Sequence, residues 1–591
     1  MRERLRRRAP SPSGLALWGI LALAFGLRLW GIRHGLPFVY NVDEASNFVP
    51  TAVGYYFTDS YNPHYFINPP AFSYLLHVVL GTWFGGGWPF SAENEVGHAF
   101  ATDPNAVFTV SRITSAVLGT AAVAFVHLTG VRLYDRRVGL VAAALMAVAF
   151  LPVFYSHLAL NDVPALLPLA VSAYGSAGVL TRGRAVDYAV AGAGLGLAAA
   201  TKYTAGIVVL PLIVAWASQL SSDRRAAMRG VVVGSAVAAV CFVLANPHAL
   251  LSFDEFWSDV RRQEEAASGF GKLGLDWDSG LLYYLWVLTW GLGWVPLAAA
   301  VAGALRTLTE DVRRALFLVP WPLVFIVYMG TQERFFGRWL LPAFPAIALL
   351  AGVAVVRAVD ALGPRPRARV ALGMTLVTAL LAQGLFYSVH SDRVLSRDDT
   401  RNLARAWMVE NTVPGSKVVV EPIVPDAWFA DPDVRDAGTA RARGLTRSGR
   451  RWIKFPTGRT TIDEQGRTIP GGKGRFVSVE DYERTLRPAL VGSYARGGYC
   501  WVVSGSTQYG RAIADPGEVP NAIAYYRTLA RHADVAQVID PYRPGQGPVP
   551  FNFDWSFNHY PRAYERSGPT VVIHRLRAGR CRDEGPEDLS Q

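Results

Sequence analysis

Long apolar blocks separated by short arginine-bearing loops recur along residues 15–390, and no soluble architecture accommodates them. Crossing the hydrocarbon core takes about 20 largely apolar residues in a helix. Blocks of that kind lie at 15–32, 107–130, 138–156, 163–180, 188–202, 204–220, 230–246, 281–305, 315–330, 338–357 and 370–389. The stretch 188–220 would be about 50 Å long as one helix, at about 1.5 Å per residue, which is too long for one crossing. A hairpin turning at Thr201-Lys202-Tyr203 brings Arg182 and Arg184 to the same side as Arg224, Arg225 and Arg229. The chain is 51% hydrophobic and 18% charged, as a multi-span membrane protein requires. Its net charge of +12 sits in loops between apolar runs, so it is no nucleic-acid signal.

Arginine also sets the orientation. Arg2, Arg4, Arg6, Arg7 and Arg8 precede the first apolar block, which lacks a clear cleavage site and reads as a retained helix with its start in the cytoplasm. The segment 66–84 is apolar enough to span but contains Pro69, Pro70 and His77. If it stays out of the membrane, the inside loops hold 15 arginines and the outside loops 5 Lys or Arg; if it spans, the bias inverts. We therefore read 48–84 as helices on the outer surface and count about eleven transmembrane helices in a domain of residues 1–390.

Beyond residue 390 the long apolar runs stop. Strand-like runs at Lys417–Glu421, Tyr499–Ser504, Val535–Ile539 and Val571–Leu576 alternate with helix-like runs at 400–411 and 519–533. That pattern predicts an extracytoplasmic α/β domain over 391–591. Its Gly-, Arg- and Thr-rich middle, 430–475, reads as a long loop. The aromatic stretch 551–560 reads as packing against the bundle, with stacking on sugar rings as the alternative. Cys500 and Cys581 both fall in this domain and have the compartment for a disulfide, while Cys241 lies in a span. No Cys/His spacing points to zinc.

On this topology several polar residues collect at outer helix ends. They are Asp43 and Glu44 after the first span, His157, Asn161 and Asp162 in the next outer loop, Lys202 and Tyr203 at the hairpin, and Glu333, Arg334 and Arg338 beside span ten. Ionisable groups beside membrane segments are costly and mark functional sites by default. Asp162 also reads as a helix cap, with Pro164 in the first turn. Arg334 and Arg338, four apart, would share a helix face. Carboxylates and cations converging on one face suit a reaction that deprotonates a hydroxyl and stabilises a phosphate leaving group.

At these residues the chain resembles the GT-C glycosyltransferases, within the branch that contains the protein O-mannosyltransferases and the lipid A aminoarabinose transferases. Asp43-Glu44, Asn161-Asp162-Val163-Pro164, Ala200-Thr201-Lys202-Tyr203 and the run from Arg338 to Pro345 carry the resemblance. It implies an inverting transferase that moves a sugar from a polyprenyl-phosphate donor to a glycan, lipid or protein hydroxyl at the outer face of the cytoplasmic membrane. It implies Asp43 as general base with Glu44 positioning it or sharing the proton, and Lys202, Arg334 and Arg338 on the donor phosphate. Asp162, Asn161, Tyr203 and His157 would orient the base or the acceptor. No metal is expected to be required, although Asp43, Asp162 and His157 are of the types that bind Mg²⁺ or Mn²⁺. The competing reading, a transporter or lipid flippase, would place charges mid-span and repeat a broken helix in two halves, and neither pattern is evident.

Overall fold

The computed structural model describes residues 12–58, 60–86, 93–267, 273–275, 277–431, 450–455, 461–462, 468–469, 475–476 and 479–577. It forms two compact units. The first comprises Met1–Ile32, Asn41–Phe270 and Trp277–Asp392; the second comprises Arg33–Tyr40, Gly271–Asp276 and Arg393–Gln591.

The first unit is helical. Among the described residues seven helical stretches are long and apolar enough to cross a membrane: Pro104–Leu133, Tyr203–Leu220, Arg224–Ala245, Gly280–Glu310, Val312–Gly330, Gly337–Asp360 and Pro366–Asn411. Gly14–Leu29, Ala71–Phe84 and Ala185–Thr201 are shorter apolar helices. Several helices begin at an aspartate placed just before the apolar run. Asp103, Asp135, Asp223 and Asp311 each accept backbone N–H groups of the first turn. Small residues then let helix backbones meet. A Cβ on Gly192 would overlap the Gly234 carbonyl, and one on Gly303 the Leu350 carbonyl.

The helical register differs from the sequence expectation where the outer loops begin. The block at 138–156 breaks at Ala149 (ψ 130°), giving Arg136–Val148 and the short helix Phe150–Tyr155. The next helix starts at Leu166, so Asn161–Pro164 belong to a turn and Asp162 caps nothing. Arg334 likewise lies in non-helical chain, because a 3-10 helix begins only at Gly337. The shared helix face expected for Arg334 and Arg338 does not exist.

The second unit is built on a five-stranded sheet ordered Ile453–Lys454, Lys417–Val420, Trp501–Gly505, Val571–Leu576, Ala533–Ile539. The first three strands are parallel and the last two pairings antiparallel. Alternation along the strands divides the core. Val418, Val420, Trp501 and Val503 face a cluster with Phe38, Met408, Trp428 and Trp452, whereas Val419 and Val502 face Tyr482, Tyr494, Tyr525 and Leu529. Phe38 and Leu273 show that the two short segments from outside 393–591 contribute to these cores. Most of 430–475 and Cys581 lie outside the described residues, but Ile453–Lys454, expected as loop, is an edge strand. Two residues are too short a run for alternation to reveal. Within 551–560, Phe553 is buried in its own unit, and Phe551 packs on Gly510 so closely that a Cβ there would overlap the ring.

Candidate active site

Asn41 organises the first outer turn: its side-chain oxygen accepts the Glu44 N–H at 3.1 Å, and its carbonyl accepts the Ala45 N–H at 2.9 Å. The two carboxylates that follow point to different partners. Glu44 is fully buried (0% exposed) and takes Arg112 in a fork, Nε to Oε1 at 2.7 Å and Nη2 to Oε2 at 2.8 Å. Its Oε1 also accepts the Ala159 N–H at 2.9 Å, and Arg112 Nη1 donates to the Ile32 carbonyl at 3.0 Å. Glu44 therefore ties the catalytic turn to the helix Pro104–Leu133 and to the loop that carries Asp162. It makes no bond to Asp43 among the described contacts, so a proton-sharing pair is not formed.

Asp43 instead accepts Arg338 Nη2 on Oδ2 at 2.9 Å. Arg338 Nε lies 3.6 Å from Asp162 Oδ2, and Asp162 Oδ1 accepts the Lys202 ammonium. Asp43, Arg338, Asp162 and Lys202 thus form one chain of alternating charge with no net charge. Of the four side chains Asp43 is the most exposed (37%), against 15% for Arg338. The Tyr155 hydroxyl bonds Arg338, and the Phe336 ring lies 4.5 Å from the Arg338 guanidinium and 5.5 Å from that of Arg334. Arg334 and Arg338 are therefore brought together by one aromatic ring rather than by a helix face.

The remaining expected residues divide. Asn161 Nδ2 donates to the Thr201 carbonyl at 2.9 Å and to Asn68 Oδ1 at 3.3 Å, joining the Asp162 loop to the Lys202 turn. Asn68 donates to the Tyr65 hydroxyl at 3.0 Å, and the Tyr203 hydroxyl donates to the Phe66 carbonyl at 3.0 Å. Burial raises the pKa of Tyr65, and with Asp43 nearby it stays a neutral phenol. His157 stands apart. It is fully buried, with Nε2 3.0 Å from the Trp30 carbonyl and 3.5 Å from Asp392, and Nδ1 3.0 Å from the Val153 carbonyl. Its contacts hold the loop base in place and do not reach Asp43 or Asp162, so the orienting role expected for it is corrected to an anchoring one.

Sequence reasoning overlooked Arg112, and a signal was available: an arginine inside the apolar block 107–130 is as costly as the loop charges singled out. Tyr65, Asn68, Tyr155 and Phe336 carry no such mark. Among the described residues no group of three or more His, Cys, Asp or Glu side chains is placed to hold a metal.

Residues 105–250 match the family described as dolichyl-phosphate-mannose-protein mannosyltransferase. Lipid A galacturonosyltransferase RgtD of Rhizobium johnstonii is 24% identical over 339 residues, covering 56% of this chain and 64% of that protein. The chain thus matches less than two thirds of the length of this curated relative. The oligosaccharyltransferase of Archaeoglobus fulgidus in its apo form superimposes with a TM-score of 0.53 at 14% identity, covering 86% of this chain and 72% of that one. The chain has the GT-C fold. The same archaeal enzyme, AglB, in complex with an inhibitory peptide and a dolichol-phosphate gives a TM-score of 0.50 at 15% identity, over 92% of this chain and 75% of the other.

Proposed function

We propose that this protein is an inverting glycosyltransferase that moves a sugar from a polyprenyl-phosphate donor to a hydroxyl acceptor at the outer face of the cytoplasmic membrane. The observation that carries the reading is the Asp43–Arg338–Asp162–Lys202 chain, with its open end at a carboxylate. The matched family description and RgtD support lipid-linked sugar chemistry, and RgtD adds a lipid acceptor to the candidates.

The electrostatics suit that reaction. Asp162 neutralises one of the two cations, so once Asp43 is released from Arg338 the remainder carries one positive charge, which matches the single negative charge of a sugar phosphodiester. Asp43 then accepts the acceptor proton while the acceptor oxygen bonds the anomeric carbon. The anomeric C–O bond breaks, and its electron pair leaves on the phosphate. Arg338 and Lys202, joined by Arg334, stabilise the charge that develops there. Glu44 serves as a strut through Arg112, while Asn161 and Tyr203 brace the surrounding turns. On this reading the donor competes with Asp43 for Arg338, so the base is freed only when the leaving group is in place.

We read eleven crossings: the seven long helices together with Gly14–Leu29, 136–155, Leu166–Arg182 and Ala185–Thr201. An odd number puts a cytoplasmic N-terminus and the C-terminal unit on opposite sides, as the arginine distribution requires. Residues 1–390 supply catalysis, and the C-terminal unit supplies acceptor selection. Both site carboxylates already hold cations, so we expect transfer to survive a chelator. Activity abolished by EDTA and restored by Mn²⁺ would overturn that expectation.

The test is lipid mass spectrometry on a deletion strain complemented with wild type or Asp43→Asn. The deletion and the Asn variant should accumulate a polyprenyl-phosphate sugar that the wild type consumes. An Asn variant that restores the normal pool removes Asp43 from the role of base.

A further inference from the structure

The helix Phe253–Ala267 presents two adjacent stripes with different duties. Glu255, Phe256 and Asp259 fasten it to the segment that carries Tyr65 and Asn68. Glu255 takes Asn62 Nδ2 and His64 Nδ1, each at 2.9 Å, and Asp259 accepts the Phe66 N–H at 2.8 Å. The Phe256 ring meets those of Phe66 and Tyr203 edge-on. The neighbouring stripe, Asp254, Trp257, Ser258, Arg261, Arg262 and Glu265, lines a cavity of about 340 Å³. Its spacing follows i, i+3, i+4, i+7, i+8 and i+11, one continuous helix face.

That face is graded along its length. At its start Leu250, Leu251 and Phe253 are exposed. Phe253 then stacks on Trp257 with an interplanar angle of 9°, and the Arg261 guanidinium lies 5.3 Å from the Trp257 ring. Arg262 pairs with Asp259 at 3.2 Å, whereas Arg261 makes no ion pair among the described contacts. Apolar, aromatic and cationic groups thus succeed one another, with Asp254, Ser258 and Glu265 as acceptors for hydroxyls. A bilayer-facing helix alone would account for the leucines and the tryptophan. It does not account for a cavity of ligand size lined by an uncompensated guanidinium.

We propose that this cavity receives the head of an anionic glycolipid acceptor: phosphate on Arg261 and Arg262, sugar beside Trp257, and acyl chains along Leu250, Leu251 and Phe253. The proposal rests on the transferase reading and names the acceptor class for it. Because the opposite stripe holds the Tyr65–Asn68 segment, an occupant of the cavity bears on the turn that faces Asp43.

The experiment measures binding to the purified full-length chain in nonionic micelles, with three fluorescent probes: a bis-phosphorylated acylated glucosamine disaccharide, its dephosphorylated form, and its deacylated, water-soluble phosphorylated form. Wild type should bind the first at least ten times more tightly than either of the others. The Arg261→Gln/Arg262→Gln variant should lose that preference while binding polyprenyl phosphate as wild type does, which reports an intact fold. Trp257→Ala should weaken the first probe severalfold. Equal binding of the first probe by wild type and the double variant overturns the proposal, and so does equal affinity for the acylated and deacylated phosphorylated probes, which marks a free-phosphate site. Asp43→Asn should bind the first probe normally and transfer no sugar. Wild-type transfer without preference for that probe sinks the subsite and leaves the transferase standing. Preference without transfer does the reverse.

Discussion

Replacing Glu421 by Gln should stabilise the C-terminal unit at neutral and alkaline pH. Glu421 follows the strand Lys417–Val420 and is buried; its carboxyl accepts the Gly505 N–H at 2.8 Å and the Tyr526 hydroxyl at 2.7 Å. Burial pushes its pKa up to about 8; the two hydrogen bonds pull it down, Glu483 adds to the rise and Arg511 opposes it. A carboxyl whose folded pKa exceeds its unfolded value contributes full stability below the unfolded pKa and loses it as pH rises through the folded one. The window therefore runs from about 4.5 to about 8. At pH 7 the unfolded chain ionises freely while the folded chain resists, and at about 1.4 kcal/mol per pKa unit the penalty is about 3 kcal/mol. Above pH 8 it approaches about 5 kcal/mol. Glutamine keeps the acceptor for Gly505 and offers its amide to the Tyr526 oxygen without any charge to bury. Hydrogen exchange of the full-length chain, read on peptides covering 417–420 and 501–505, should show roughly hundredfold slower opening in Glu421→Gln at pH 7. Wild type and variant should converge near pH 4.5. Equal exchange at pH 7, or a difference that does not change between pH 5 and 8, would refute the reasoning.

Three further outcomes follow from contacts in the helical unit. Asp43→Asn should lower sugar transfer by about 10²–10⁴-fold with lipid-donor binding intact, since it removes only the base; a purified variant that retains a tenth of wild-type turnover contradicts this. Glu44→Gln or Arg112→Met each strand one member of a buried ion pair and should cost about 3–5 kcal/mol. The double variant should recover part of that loss in thermal unfolding, and a double variant less stable than both singles would count against the pairing. Gly303→Leu should abolish monodisperse protein on size exclusion, because the side chain must enter the Leu350 carbonyl; a normal elution profile would show that these helices can separate.

Where sequence reading worked, one strong period or one composition rule was enough. The strand Val571–Leu576 and the helix Thr400–Asn411 appear where alternation and amphipathic spacing put them. The turn at Lys202 was legible because 33 apolar residues cannot be one crossing, and the extended backbone of Lys202 (φ −153°, ψ 118°) ends the helix there. Failures came where tertiary contacts override local pattern. Ala149 has no sequence mark of a break. Arg33–Tyr40 looks like a linker, yet Phe38 is buried among Met408, Trp428 and Ile573, and Tyr40 bonds Asn402 at 2.5 Å. A segment distant in sequence that completes another unit's core leaves no period to detect.

The acidic pair itself shows how far a motif can be read. Two adjacent carboxylates invite interpretation as a dyad, but successive residues on a helical turn diverge by roughly 100° and do not face each other. Asp43 has αR geometry (φ −65°, ψ −38°) and Glu44 opens the π-helix Glu44–Phe48, so the backbone directs one side chain outward and the other into the bundle. The inward carboxylate requires a buried cation, and the arginine in the apolar block 107–130 meets that need. The outward one keeps access to solvent and therefore to a substrate hydroxyl. Adjacency here encodes a division of labour: a charge fixed in the interior sets the position of the charge beside it. The same logic connects the two overlooked intramembrane arginines. Arg28 donates to the Ala24, Met146 and Ala147 carbonyls at helix C-terminal ends, and Arg112 holds Glu44, so both immobilise the chain on either side of the exposed aspartate. A base that must wait for a phosphate to displace its arginine needs such a frame, because a slack turn would let Asp43 follow Arg338 instead of releasing it.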